Sequence, residues 1–355
     1  MLIVDDSAFM RTALSRMIAY DPALSIVGTA ASGTEALQRI ERLDPDVITL
    51  DVQMPGLDGL ETLRRIMIEF PRPVIMVSSV TVKDAETTFT ALGAGAFDYV
   101  PKQLASTSLD ILHIRDDLIA KIKAAAESRT SKNHLDLPTL RKPPRAAGPT
   151  MRDVSAPALT LVVVGISTGG PKALQDILPL LPSDLPVPIV VVQHMPAGFT
   201  APFAKRLNTL SAVSVREATQ GETIKPGMVY IAPAGVHITV ERAGSRAMVC
   251  LSHEPENQLH TPSIDVMMKS VASAFQAQAM GIVMTGMGAD GAQGMNAIHQ
   301  AGGFTVGQDE ASCAVYGMPR VCAEMGILDR VVPLAQIPHE ILQATGYRKS
   351  DRQLG

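Results

Sequence analysis

Tryptophan is absent from this 355-residue chain, and aromatic residues of all kinds make up only 4%. So thin an aromatic supply argues against a base-stacking surface for single-stranded nucleic acid. There is no excess of positive charge either: 31 Lys and Arg stand against 35 Asp and Glu, a net charge of −4. That balance gives no reason to expect nucleic acid or an anionic membrane as partner. No apolar run approaches the roughly 18 residues of a membrane span, and no charged-then-apolar secretory leader opens the chain. The cysteines are three (Cys250, Cys313, Cys322), widely spaced and without a C-x-x-C pair. They read as buried thiols in a reducing compartment. The expectation is a soluble cytoplasmic protein with no direct membrane insertion. With 46% apolar residues the chain should fold as a globule, and its length suits two domains.

Residues 1–122 alternate short apolar runs with helical patterns. Strands are expected at 2–4, 25–29, 46–50, 73–77 and 96–100. Helices are expected from Phe9 to Ile18 and near 34–42, 57–69, 84–92 and 107–125. Such alternation predicts a parallel, doubly wound sheet. Residues 127–158 turn rich in Pro, Ser, Lys and Arg and read as an exposed, mobile linker. Alternation returns over 159–345, with strands expected at 159–164, 187–193, 228–232, 236–241, 247–252, 279–285, 303–307 and 328–332. The domain plan is therefore 1–122, a linker over 123–158, and 159–347.

Every strand that carries a site residue in the first half ends in a polar one. Asp5 and Asp6 follow strand one, Asp51 strand three, Ser78 strand four and Lys102 strand five. Strand C-termini of a doubly wound sheet open into one crevice, so these five residues should meet. Three crowded carboxylates repel one another unless a cation intervenes, and Mg²⁺ suits an all-oxygen set. One carboxylate at the metal edge could accept a phosphoryl group, with Lys102 and Ser78 holding its oxygens. The plainer alternative makes Asp5 and Asp51 helix caps, but capping does not explain five polar residues at four strand ends.

The stretches LIVDDSAFMR, DVITLDVQMPGLDGLETL, VIMVSS and GAFDYVPK resemble the receiver domain of two-component response regulators. That resemblance implies a flavodoxin-like fold with Asp51 as phosphoacceptor and Mg²⁺ held at Asp5 and Asp6 beside it. It further implies Ser78 as switch hydroxyl, Lys102 as phosphate contact and Tyr99 as switch aromatic. A sensor histidine kinase would be the phosphodonor. Gln103 departs from the proline that usually follows the lysine. The chain also starts directly on MLIVDD, short of the residues that usually precede strand one, so a native start further upstream is expected.

In the second half, LTLVVVGISTGGPKAL joins an apolar run to a glycine loop and a helix. It lacks the Lys-Ser/Thr pair of a phosphate loop and the spacing of a dinucleotide fingerprint. Ser167 instead stands at a strand-to-helix turn, where a hydroxyl is exposed at the sheet edge. A serine needs a base, and VVVQHM puts His194 at the end of the next strand. The base needs an acid, and TGMGADGAQGM puts Asp290 in a glycine-rich turn after another strand. Taken singly these are a cap, a structural histidine and a turn residue; together they are better explained by catalysis. The Thr168 N–H, opening the following helix, is a candidate oxyanion donor, and Met287 a candidate substrate contact. The order Ser, His, Asp excludes an α/β-hydrolase, which runs Ser, acid, His. Metal-dependent hydrolysis by His237, His253, His260 and His299 lacks ligand spacing.

VGISTGGPKAL, VVVQHMPAGFTAPFAKRL, GMVYIAPAGVHITV, TPSIDVMMKSVA and TGMGADGAQGM resemble the chemotaxis protein-glutamate methylesterases. The resemblance implies a Rossmann-like catalytic domain, Ser167 as nucleophile, His194 as base and Asp290 as orienting acid, with no cofactor for the esterase chemistry. Methylated chemoreceptors would be the substrates, with receptor glutamines as further ones. Phosphorylation of the receiver would relieve inhibition of the esterase. Thr261 stands where the family has arginine, with His260 beside it.

Overall fold

The computed structural model describes residues 1–79, 81–102, 108–133, 158–244 and 246–348. The chain divides into two compact units, Met1–Pro143 and Pro144–Gly355. The first unit alternates β1 (Leu2–Val4), α1 (Ala8–Ile18), β2 (Gly28–Ala30), α2 (Gly33–Leu43), β3 (Ile48–Asp51), α3 (Gly59–Glu69), β4 (Val74–Ser78), α4 (Val82–Gly93), β5 (Asp98–Pro101) and α5 (Ser108–Asn133). All its strand pairings are parallel, in the order β2-β1-β3-β4-β5. This is the flavodoxin-like order, whose switch point lies between β1 and β3. Strands β1, β3 and β4 are buried throughout, the continuous apolar pattern expected of a sheet covered on both faces. Helices α1 and α5 cover one face through Leu14, Met17, Ile18, Leu118, Ile122 and Ala125.

Helix α5 departs from expectation. It ends at Asn133 rather than near 125, and so runs into the segment read as a linker. No proline or glycine interrupts the sequence between Ser108 and Pro138, so nothing local stops the helix. Residues 134–157 and Gln103 lie outside the described residues.

The second unit contains β6 (Leu161–Ile166), α6 (Gly170–Ile177), β7 (Ile189–Gln193), α7 (Thr200–Leu210), β8 (Ser214–Glu217), β9 (Met228–Ile231), β10 (His237–Ala243) and β11 (Arg246–Ser252). It continues with α8 (Ile264–Phe275), β12 (Ala279–Val283), α9 (Ala292–Gln300), β13 (Phe304–Gln308), α10 (Met318–Glu324), β14 (Arg330–Val332) and α11 (Ile337–Ala344). Seven strands form an all-parallel sheet, β14-β13-β12-β6-β7-β9-β8. The chain winds outward from β6 first through β7 and later through β12, so the switch point sits at β6. Strands β10 and β11 do not join this sheet but pair antiparallel as a separate hairpin.

Helix α8 packs its buried face (Ile264, Met267, Met268, Val271) into the core beside β6 and β12. Its first residue fits tightly. A Cβ on Gly165 would lie 2.3 Å from the Ile264 Cγ2 atom, so glycine at the end of β6 lets the start of α8 approach the strand tips. Ser263 caps α8, its hydroxyl accepting the Val266 N–H.

Among the cysteines, Cys322 is buried but Cys250 and Cys313 are partly exposed, which corrects the expectation of three buried thiols. Cys250 lies in the two-stranded hairpin and Cys313 in a loop after β13. Burial pushes the Cys313 and Cys322 thiols up to about 12, and the Cys250 thiol is raised as well, so all three stay protonated near neutrality. No helix among the described residues is long and apolar enough to cross a membrane.

Candidate active site

Ser167 and His194 directly follow the adjacent strands β6 and β7, and Asp290 lies in the loop between β12, on the other side of β6, and α9. The His194 Nδ1 lies 3.2 Å from the Ser167 Oγ, and its Nε2 lies 2.8 Å from the Asp290 Oδ2. The order in space explains which nitrogen does what. Serine follows the middle strand, and the loop that carries the acid leaves the strand on the side away from the histidine. The imidazole reaches across the tip of β6: its near nitrogen meets the serine and its far nitrogen the acid.

Ser167 is held by the main chain. Its N–H donates to the Thr285 carbonyl and its own carbonyl accepts from the Gly170 N–H. Gly169 takes φ +74°, the left-handed turn that bends the chain from β6 into α6. Helix α6 is capped by Gly169 without a side-chain bond, so Ser167 is not its cap. Gln193 is buried, and its carboxamide N–H₂ donates to both the Ser167 and His194 carbonyls at 3.0 and 2.9 Å. One amide thus ties the backbone at Ser167 to the backbone at His194. The Thr285 hydroxyl donates to the Thr168 carbonyl at 2.9 Å and accepts the Val315 N–H. Among the described residues the Thr168 and Met287 N–H groups find no acceptor within the protein. Met287 is half-buried.

Asp290 does not cap its own helix: α9 follows Gly291, which caps it without a side-chain bond. It serves α8 instead. Its Oδ1 accepts from the Ser263 hydroxyl and the Asp265 N–H, both at 3.0 Å, and its Oδ2 accepts from the Ile264 N–H at 2.8 Å as well as from His194. Burial by itself would raise this carboxyl. The bond and charge of His194, with the Asp265 and Ile264 N–H groups, outweigh burial and hold it well below the usual carboxylate range. The positive end of α8 acts in the same sense. Behind Ser263 lies His237, 1% exposed. Its Nδ1 accepts the Ser263 N–H at 3.1 Å and its Nε2 donates to the Pro255 carbonyl at 3.2 Å. Those partners fix a neutral tautomer, and burial lowers the ring's proton affinity.

In the first unit the Asp5, Asp51 and Lys102 side chains meet, and Ser78 ends the strand beside that of Asp51. Lys102 Nζ lies 2.6 Å from Asp51 Oδ2 and 3.1 Å from Asp5 Oδ2. Burial pushes the Asp51 carboxyl up to about 6; the Lys102 bond opposes this and the Asp5 charge adds to it. Neither aspartate caps a helix: Ser7 caps α1 and Asp58 caps α3. Asp5 and Asp51 accept the N–H groups of Ser7 and Gln53 instead. Asp5, exposed Asp6 and Asp51 each offer an oxygen, all within 4.8 Å of one another, a hard donor set that fits Mg²⁺. Ser78 is buried and its Oγ accepts from the Thr88 hydroxyl at 2.8 Å. Tyr99 is buried edge-on to Phe89, with ring centroids 6.2 Å apart.

The family description "CheB methylesterase" matches residues 162–341, and "Response regulator receiver domain" matches residues 1–112. Over 97% of its length the chain is 44% identical to the protein-glutamate methylesterase/protein-glutamine glutaminase 1 of Oleidesulfovibrio alaskensis, covering 98% of that protein.

The chain belongs to the CheB methylesterase family.

A second relative, from Nitratidesulfovibrio vulgaris, carries the same designation with the number 2 and is 45% identical over 96% of this chain and 98% of its own. The crystal structure of the Thermotoga maritima CheB methylesterase catalytic domain superposes with a TM-score of 0.51 at 37% identity, covering 53% of this chain and 99% of that one. This CheB-family chain is thus an enzyme of the methylesterase class with a response regulator receiver domain, and both its units are parallel α/β folds.

Ser263, Gln193, His237 and Thr285 have no role assigned from the sequence. Ser263 has a local signal, since serine before an apolar helical run marks a cap. Gln193 and His237 have none: Ser167, Pro255 and Ser263, which they bond, lie 18 to 26 residues away and meet them only after folding.

Proposed function

We propose that this enzyme hydrolyses methyl esters of glutamate side chains on chemoreceptors, releasing methanol, with Ser167, His194 and Asp290 as its catalytic residues. The hydrogen-bonded chain from Ser167 through His194 to Asp290 carries this reading. The Ser167 hydroxyl attacks the ester carbonyl while His194 Nδ1 takes its proton. Asp290 keeps the ring proton on Nε2 and stabilises the imidazolium. The Thr168 N–H, with that of Met287, receives the oxyanion. His194 returns its proton to the departing methanol, then activates water to free the glutamate carboxylate. The same steps on a glutamine side chain would release ammonia, in line with the second half of the relatives' designation.

The receiver supplies control. Asp51 accepts a phosphoryl group from a sensor histidine kinase, and esterase turnover rises. Mg²⁺ at Asp5, Asp6 and Asp51 offsets charge on the phosphoryl oxygens when bound; Lys102 and Ser78 hold those oxygens, and Tyr99 responds as the switch aromatic. The working division is a receiver over 1–122, a linker over 123–158 and a catalytic domain over 159–347, in a cytoplasmic protein. The decisive experiment is Ser167→Ala in the full chain with methylated receptors: methanol release should vanish while the melting temperature holds. Release at the wild-type rate would refute the assignment.

A further inference from the structure

The half-buried His260 ring lies against His194, with centroids 4.0 Å apart and planes 22° from parallel. Two residues beyond Thr261, the same turn delivers Ser263, which donates to Asp290. One short segment therefore touches the acid through a hydroxyl and the base through a ring. We propose that His260 is a positioning residue, whose ring keeps the His194 imidazole aligned between Ser167 and Asp290. The inference rests on the Ser–His–Asp reading above and adds a fourth side chain to it.

The physical case is one of direction. The hydrogen bonds of His194 are made at its edge, through Nδ1 and Nε2. They resist displacement within the ring plane but leave the ring free to tilt about the line joining the two nitrogens. A stack acts along the normal to the plane and opposes that tilt. It also keeps water from one face of the base. When His194 takes the serine proton, its positive ring lies against the π face of its neighbour, an arrangement that favours a cation. This contact uses the face of His260 and needs neither ring nitrogen, which makes the proposal separable from a polar role toward substrate.

The test compares His260→Ala and His260→Phe in the full-length chain. Two readings are taken: the rate at which a fluorophosphonate probe modifies Ser167, and steady-state ester hydrolysis. In His260→Ala, kcat and the phosphonylation rate should fall about tenfold, equivalent to the ~1.4 kcal/mol of one well-placed aromatic pair, with KM within about twofold of wild type. His260→Phe restores a flat ring without polar atoms and should keep both rates within about threefold of wild type. A wild-type rate in His260→Ala would overturn the proposal. So would His260→Phe as slow as His260→Ala, because the nitrogens rather than the face would then matter. Failure of the probe to label Ser167 in the wild-type chain would instead strike the nucleophile assignment, and the stacking role would fall with it.

Discussion

Replacing Asp290 by asparagine preserves size and shape but removes an acceptor from a group on which four donors converge. His194 Nε2–H and the Ile264 N–H meet one carboxylate oxygen, the Ser263 hydroxyl and the Asp265 N–H the other. A carboxamide has only one acceptor. If its NH₂ takes the Oδ1 place, the Ser263 hydroxyl can rotate to accept, but the Asp265 N–H is left unpaired. If it takes the Oδ2 place, His194 must accept at Nε2, its proton moves to Nδ1, and no lone pair faces Ser167. One unpaired buried N–H costs ~1–3 kcal/mol, and making the surviving bonds neutral costs ~1 kcal/mol more. A loss of ~3 kcal/mol in stability is expected in either orientation, and the second also lowers turnover by about 10³–10⁴-fold, the size of effect a wrong histidine tautomer has in other enzymes of this kind. The depressed Asp290 carboxyl also sets a pH dependence. Its stabilisation is complete above the unfolded value of about 4 and is lost as pH falls below that toward the folded value. The deficit of Asp290→Asn should therefore be full at neutral pH and shrink in acid. Urea unfolding of the second unit across pH, with methanol release at neutral pH, measures both. Unchanged stability at neutral pH, or a deficit that grows on acidification, would refute the reasoning.

Asp51→Asn should abolish the rise in esterase turnover that a small phosphodonor produces; an unchanged rise would remove Asp51 from control. In Gly170→Ala the new Cβ would lie 2.0 Å from Gln193 Oε1 and 2.7 Å from Ile166 Cγ1. Displacing that carboxamide breaks its bonds to both catalytic segments, so stability should drop ~1–3 kcal/mol in denaturant melts and turnover should fall with it. His237 is held neutral by burial, so below about pH 6.5 the unfolded chain binds a proton that the folded one resists. Wild-type stability should thus decline as pH falls through that window, and His237→Asn, which can still accept from Ser263, should flatten the slope. Parallel slopes in urea titrations would show that His237 is not the group involved.

Much of the site is legible because parallel sheets put chemistry at strand ends, and strand ends are visible in sequence. Val162 to Ile166 and Ile189 to Val192 are apolar runs that stop at Ser167 and, one residue later, His194, and their parallel pairing makes them neighbours. Strand β8 escapes a sequence reading because Ser-Val-Arg-Glu pairs with β9 alone and buries only Val215, leaving no apolar run. The expected strands at 236–241 and 247–252 exist, but they pair with each other as a hairpin while β8 takes the sheet edge beside β9. The partnership of Asp290 with α8 is hidden for a related reason. A local reading gives an Asp-Gly turn to its own helix, whereas the carboxylate serves a helix that starts 26 residues earlier.

That borrowed cap makes two backbone amides into reporters. The Ile264 and Asp265 N–H groups have Asp290 as acceptor, so their exchange with deuterated solvent requires the carboxylate to move away. Their protection therefore tracks how firmly Asp290 is held in place beside His194, with no substrate present and no turnover needed.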